Sequence, residues 1–368
     1  MSAKPHQENV GVDALIDKCH VRKMEPDQIA STLNLVFGNA DYTTEFVNDR
    51  LIKVNKYVTQ LELLAALPKI EQRTPIWYET RQALITASDF AQALGEGKFG
   101  TKEQLMKKKC GYEEEKFNAS SPPLKWGTMF EPVASDIYET RNKMKLHEFG
   151  LLKHPSIDYF GASPDGVNEC GIMVEIKCPY RRKIDGQVPL QYYYQIQGQL
   201  DVCGLDECDF FECEFFASEY AEDLMTCDAK GEMGVIIEYP EFVYTYSRAS
   251  YGWTTDELTA WTDTEIDKIN SSNNNSINNN GIKVQYYRLE KCSTVRVYKD
   301  PSFLELKLAD LSEVWMKIKE YRADEEMYNR ELRKASTTTT KKAYGSGSGG
   351  GTNAFCASAT KLTGWAFN

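Results

Sequence analysis

The sequence predicts an α/β protein built on a central mixed sheet, and three observations lead there. Residues 1–70 carry apolar side chains at helical spacing. Residues 74–216 alternate helical with strand-like segments, and residues 303–334 return to a long helical pattern. The organisation that follows is a helical accessory region over 1–73, a main α/β domain with C-terminal additions over 74–335, and a flexible tail over 336–368.

In the first region, Phe46, Leu51, Val54, Val58, Leu61 and Leu64 recur every three to five residues, so a helix is expected from Tyr42 to Leu67, stopping before Pro68. In the central block, Ser88 is the expected N-cap of a helix through Phe90, Ala91 and Leu94. Glu131 is expected to open an amphipathic helix whose apolar face is Val133, Ile137 and Tyr138, with Pro132 tolerated in its first turn. Residues 172–178 are strand-like, and residues 192–200 form a helix with Tyr192, Gln195 and Gln199 on related faces. Further on, residues 234–246 are strand-like and residues 254–269 helical with a Thr cap. The stretch 271–281 (SSNNNSINNNG) is polar and low in complexity, a mobile loop. Residues 283–297 alternate β-branched and aromatic side chains. The helix over 303–334 places Leu304, Leu308, Leu311, Trp315, Ile318 and Tyr321 on one face. Residues 337–351, rich in Thr, Gly and Ser, are linker-like, and Phe355, Trp365 and Phe367 end the chain as either a docking peptide or a disordered terminus.

Composition narrows the function classes. No segment holds about 18 uninterrupted apolar residues, and the first 30 residues are charged where a signal peptide needs an apolar run, so a soluble intracellular protein without membrane attachment is expected. The 10 cysteines are scattered, contain no CxxC pair and accompany only 4 histidines. Cys203, Cys208 and Cys213, five apart, are therefore expected to be buried free thiols and not a disulfide framework, a zinc site or an iron–sulfur cluster. A net charge of -11 opposes indiscriminate phosphate binding. Two basic runs stand out locally: Lys177 with Arg181, Arg182 and Lys183, and Lys98, Lys102, Lys107, Lys108 and Lys109. The second is expected to be a solvated helix face.

The strongest chemical signal is Ser163-Pro164-Asp165-Gly166, followed nine residues after the glycine by Glu175-Ile176-Lys177. Residues two apart in a strand face the same way, so Glu175 and Lys177 emerge side by side. With Asp165 opposite across a hairpin, they make a hard-oxygen site of the kind magnesium prefers, and the Ile176 carbonyl is a further candidate ligand. Lys177 would orient or deprotonate the attacking water and stabilise charge on a phosphate. A surface hairpin with solvated charges is the plain alternative for an ExK triplet alone; the combination with the other motifs decides between them.

Those motifs are Trp126-Gly127 with Glu131, the Tyr192-to-Leu200 segment with its interleaved glutamines, and Trp77 with Arg81 followed by Ser88. Arg81 and Ser88 suit either a capped helix with a surface Arg or a phosphate site, where the Arg fork and a hydroxyl at a helix start converge. The order W-x3-R-x6-S, WG-x3-E, S-x-D-G, E-x-K-C-P and Y-x2-Q-x-Q resembles the lambda exonuclease or YqaJ-type viral recombinase family of the PD-(D/E)xK nucleases, over about residues 74–216.

The resemblance implies a restriction-endonuclease-like core with a central mixed β-sheet flanked by helices. It implies Asp165 and Glu175 as metal ligands with Glu131 nearby, Lys177 as the catalytic lysine, Gln195 beside it and Tyr192 before it. Arg81, Ser88 and Ser163 match positions that hold a 5′-phosphate, and the last member of that set falls on Lys183, with Arg181 and Arg182 adjacent. The implied activity is magnesium-dependent hydrolysis, with manganese as substitute, that degrades one strand of double-stranded DNA ends 5′ to 3′ in recombination and repair. A single-strand annealing protein is the implied partner, and a homotrimer the implied assembly. A structure-specific or single-strand endonuclease on the same fold, and a non-catalytic DNA-binding module, are the competing readings. A large DNA virus is the expected source, and the cytoplasm or nucleus of its host the expected location.

Overall fold

The computed structural model describes residues 9–38, 41–112, 121–225, 231–272, 281–333 and 360–362. Most of the Asn-rich loop, the linker over 337–351 and the tail aromatics Phe355, Trp365 and Phe367 lie outside the described residues.

The first elements among the described residues are α1 (Asn9–Val21), α2 (Pro26–Phe37) and α3 (Thr44–Ala65), which enclose Val12, Ile16, Ile29, Leu33 and Val47. Thr43 caps α3 by accepting from the Phe46 N–H at 3.2 Å. The far half of α3 leaves this small core. Val54 and Tyr57 pack on Ile172, while Leu61 and Leu64 join the main core.

Next come α4 (Pro75–Gln82), β1 (Ile85–Thr86), α5 (Phe90–Ala93), α6 (Lys102–Cys110), α7 (Pro122–Asn142), β2 (Leu146–His147), β3 (Leu152–Lys153), β4 (Phe160–Ala162), β5 (Gly166–Asn168) and β6 (Met173–Lys177). The remainder is α8 (Leu190–Cys203), β7 (Glu207–Ser218), β8 (Met233–Tyr239), β9 (Val243–Tyr246), α9 (Thr255–Ser272), β10 (Lys283–Tyr298), α10 (Phe303–Ala323), α11 (Glu325–Tyr328) and β11 (Thr360–Leu362). The main sheet runs β2-β5-β6-β7-β10-β8-β9, with β11 also paired to β10; a small sheet runs β1-β4-β3. In the main sheet β6 and β7 are parallel and the other pairs antiparallel, so the sheet is mixed as expected.

Strand alternation sets the layers. Met173 of β6 and Cys208 and Phe210 of β7 join a core shared with Phe90, Tyr194, Ile196, Leu200, Leu311 and Ile318 of α5, α8 and α10. Val174 and Ile176, with Phe211, Cys213 and Phe215, pack instead under Met129, Phe130, Val133 and Ile137 of α7. Phe130 and Phe215 stack at 4.5 Å. Glu175 and Lys177 fall on the α8 face, one step along the strand from Met173. The parallel register sets Glu175 beside Phe210 and Lys177 beside Glu212.

Four expectations change. Helix α7 starts at Pro122, so Glu131 lies within a helix and not at its start. Pro122 and Pro123 at the first helical positions supply the start signal, and Pro132 is accommodated inside despite its missing N–H. Ser88 is not a helix cap: Thr86 caps a short turn by bonding Asp89, which frees Ser88 for another partner. The last long helix ends at Ala323, where Asp324 accepts from the Met327 N–H at 2.9 Å and starts α11. Finally, the lysine run is not wholly solvated, because Lys109 is only 2% exposed.

Among the described residues Cys170, Cys178, Cys203, Cys208 and Cys213 are free and buried. None of the described helices is long and apolar enough to cross a membrane.

Candidate active site

Asp165 sits between β4 and β5 and faces the start of the ExK step. One of its carboxylate oxygens accepts the Ile176 backbone N–H at 2.7 Å, which fixes the hairpin geometry. Glu175 is fully buried. Its Oε1 pairs with Lys177 and accepts from Gln195 Nε2 at 2.6 Å, and its Oε2 accepts from Gln199 Nε2 at 2.7 Å. Gln195 and Gln199 are four apart on α8, one turn, so both amides reach the same carboxylate. The Lys177 ammonium lies 3.9 Å from Asp165 and 5.3 Å from the centre of the Tyr192 ring.

Glu131 approaches from α7, with Arg73 at 3.7 Å from its Oε1. Burial, and then repulsion from Asp165, push the Glu131 and Glu175 carboxyls up to about 7. Burial likewise raises Asp165, against the pull of Lys177 and the Ile176 N–H. Burial alone would discharge Lys177, but Glu175 and Asp165 outweigh it and hold the ammonium well above its usual range. Three carboxylates thus share the neighbourhood of Lys177 and Arg73, leaving an excess of negative charge. Among the described residues no three or more His, Cys, Asp or Glu side chains are grouped so that they could together hold a metal ion.

A groove of about 1670 Å³ opens over this cluster. Glu131, Ile176, Lys177 and Tyr192 line it, as do Arg181, Arg182 and Lys183. Arg182 pairs with the buried Glu212 and Lys183 with Glu214, while Arg181 lies 5.2 Å over the Tyr180 ring.

The other phosphate candidates assemble elsewhere. Arg81 lies 4.4 Å over the Trp77 ring and donates to Ser88 Oγ at 3.1 Å. The Trp77 indole N–H donates to Ser163 Oγ at 3.2 Å, and Ser163 donates to the Gly150 carbonyl at 2.7 Å. Arg81, Ser88 and Ser163 therefore form one group joined through Trp77. Gln199 Nε2, 3.4 Å from the Ser163 carbonyl, connects it to Glu175. These three do not line the groove, so the predicted phosphate set divides: Lys183 stays with Arg181 and Arg182 on the groove wall and away from Arg81. A hollow of about 400 Å³ between α3 and β2–β3 contains none of these groups.

The sequence places Gln199 on a face related to that of Gln195 but marks only Gln195 for a role; the four-residue spacing that brings both amides to one carboxylate was the available signal. Arg73, on the segment before α4, and Lys109, behind Arg81, carried no signal in the sequence.

A strand-borne Glu-x-Lys, an Asp across the hairpin and a helix glutamine pair, set on a mixed sheet between helices, make this an α/β protein with a buried cluster of carboxylates around one lysine. Residues 76–206 match the family model described as the YqaJ-like viral recombinase domain, inside the span from which the motif resemblance was drawn. An uncharacterized protein of Acanthamoeba polyphaga mimivirus is 25% identical over 348 residues, covering 80% of this chain. A protein of African swine fever virus is 28% identical over 161 residues, 35% of this chain. The chain spans 60% and 46% of the lengths of these two relatives. Among solved structures, an alkaline exonuclease from Laribacter hongkongensis is similar at 20% identity and a TM-score of 0.41, over 73% of this chain and 100% of that one.

Proposed function

We propose that the chain is a metal-dependent DNA nuclease that degrades duplex ends 5′ to 3′. The observation that carries the reading is the Glu175 cluster: a buried carboxylate locked by Lys177, Gln195 and Gln199, in the charge neighbourhood of Asp165 and Glu131, behind a groove lined by Glu131, Lys177 and residues 181–183. The chemistry of the donors suits a hard divalent cation, since Glu131, Asp165 and Glu175 offer oxygen alone and the Asp165 charge raises the affinity of both glutamates for positive charge. Such a cation, magnesium or manganese, held by Asp165, Glu175, the Ile176 carbonyl and Glu131, would supply Lewis acidity at the phosphate.

The chain's own groups do the rest. The two glutamines fix the plane of the Glu175 carboxylate, and the Ile176 N–H fixes Asp165. Lys177, kept charged by its neighbours, is placed to steady negative charge on a reacting phosphate and to orient the water that attacks it. Arg181, Arg182 and Lys183 offer backbone-phosphate contacts along the groove, while Arg81, Ser88 and Ser163 offer a separate pocket for a terminal 5′-phosphate. The description of the matched domain as a viral recombinase supports a place in DNA recombination, and an annealing protein as partner is what the motif resemblance implies.

The test is degradation of linear duplex against closed-circular DNA, with magnesium, manganese, calcium or chelator present. Linear DNA should be consumed with the first two ions only, circles should survive, and Lys177→Ala should abolish turnover while DNA binding persists. Cutting of circles would move the reading to an endonuclease; undiminished turnover by Lys177→Ala would remove the proposed site.

A further inference from the structure

Residues 95–101 join α5 to α6 and form one lip of the groove. This lip is pinned: Gln92 Nε2 donates to the Thr101 carbonyl at 2.9 Å, and a Cβ on Gly97 would meet the Gln92 Cα at 2.7 Å. Only glycine lets the backbone lie so close. On this fixed segment Phe99 is 78% exposed and lines the groove. Scattered exposed apolar residues are ordinary on a protein surface, but the surroundings of this one are specific. Its neighbour Lys98 is exposed, lines the groove too and has no ion-pair partner among the described residues. The Phe99 ring lies 6.5 Å from that of Tyr192, and Tyr192 in turn lies 5.3 Å from the Lys177 ammonium. A lone cation and two rings therefore lead, side by side, from the lip to the candidate catalytic lysine.

We propose that Phe99 is a stacking platform for an unpaired nucleobase, with Lys98 taking the phosphate of the same strand. The proposal rests on the nuclease reading of the groove and specifies which form of DNA its lip accepts. Every base has an apolar π face that a ring can cover, whereas bases inside a duplex already spend both faces on their neighbours. The platform therefore favours the nucleotide that has left the duplex next to the cutting site. Loss of one such stack weakens binding by about 5- to 150-fold.

Binding is measured in chelator on a duplex with a short single-stranded overhang containing 2-aminopurine, whose fluorescence falls on stacking, and on the same duplex with blunt ends. Wild type should quench the probe. Phe99→Ala should lose the quench and about tenfold or more in affinity for the overhang, with much less change on the blunt duplex, while Phe99→Trp restores both. Because Phe99 is exposed, Phe99→Ala should keep the wild-type melting temperature. Equal binding and quenching by wild type and Phe99→Ala, or equal losses on both duplexes, would overturn the platform and leave the nuclease reading intact. Platform behaviour in a protein that cuts no DNA with any ion would do the reverse, and a wild type that binds neither duplex would remove both.

Discussion

Glu175 accepts bonds from three side chains and still holds its proton up to about 7, because burial and the Asp165 charge outweigh that help. Glu131 is pushed to about 7 for the same two reasons. Both start from an ordinary carboxyl value of 4.5, so the folded state binds protons that the unfolded chain has released. The stabilisation is complete below about 4.5 and is lost as pH rises through about 7. In chelator the melting temperature should therefore fall between pH 5 and pH 8, and Glu175→Gln should flatten that slope. Magnesium added at pH 8 should raise the wild-type melting temperature, since a cation that binds only the folded site stabilises it. A slope identical in wild type and Glu175→Gln would count against the shared-charge account. The central residues of this site were legible because ExK on a strand and Q-x-Q followed by a further Gln on a helix have fixed spacing. The hidden members were not: Arg73 meets Glu131 only through the tertiary fold, and nothing local distinguishes Lys109 from the lysines before it.

Lys109 shows how one element supports another. It ends α6, yet its ammonium is buried between Asp89, at 2.8 Å, and the Arg81 carbonyl at the end of α4, at 2.7 Å. Arg322 of α10 reinforces the same junction by donating to the carbonyls of Gln82 and Lys109. Although burial works the other way, Lys109 and Arg81 hold the Asp89 carboxyl well below its usual range, and Asp89 in turn bonds Thr86 beside Ser88. Helix α6 is thus the support for the Arg81–Ser88 group. Lys109→Met should strand Asp89 in the interior, at about 3–5 kcal/mol, and release Arg81 from position. Wild type should degrade ends bearing a 5′-phosphate much faster than 5′-hydroxyl ends; Lys109→Met should lose that preference while slow cutting continues. The double variant with Asp89→Asn should recover stability without recovering the preference. An unchanged preference in a folded Lys109→Met would show that α6 does not position the pocket. Elements were otherwise well anticipated where periodicity was strong, as in α3, β6, α8 and β10. Boundaries slipped where a local signal misled. Pro132 suggests a first helical turn, whereas the true start is the Pro122-Pro123 pair, and the helix expected to reach 334 breaks at Asp324, just beyond the last member of its apolar stripe, Tyr321.

Across the whole molecule, the N-terminal helices and the main sheet share one buried ion network. Arg50 of α3 bonds Asp17 of α1 at 2.7 and 2.9 Å and also pairs with Glu207 of β7. Arg296 of β10 pairs with Glu207 and bonds Asp209 at 2.6 Å, and Asp209 accepts from Tyr138 of α7 at 2.7 Å. The sequence presents residues 1–73 as an accessory region because its helices are amphipathic in their own right, and charged residues ordinarily lie outside. No local pattern marks Arg50 or Arg296 as the exceptions: they are 4% and 2% exposed. Their burial makes the region a structural partner of the sheet whose β6–β7 pair carries the candidate site. Burial opposes the charge of Glu207, but Arg296 and Arg50 outweigh it and hold the carboxyl down to about 2, so near neutral pH the carboxylate depends on both partners. Arg50→Met removes one of them and leaves Asp17 and Glu207 facing each other in the interior. The expected loss is about 3–5 kcal/mol, or a fall in melting temperature of roughly 6–20 °C at about 2–4 °C per kcal/mol for a chain this large. Arg50→Lys should fall between the two, because a single ammonium cannot reproduce the paired contacts of the guanidinium fork. Thermal unfolding followed by circular dichroism separates the outcomes. An Arg50→Met protein that melts with wild type would mean that apolar packing of α3 on Ile172 and the main core holds the region in place without the network.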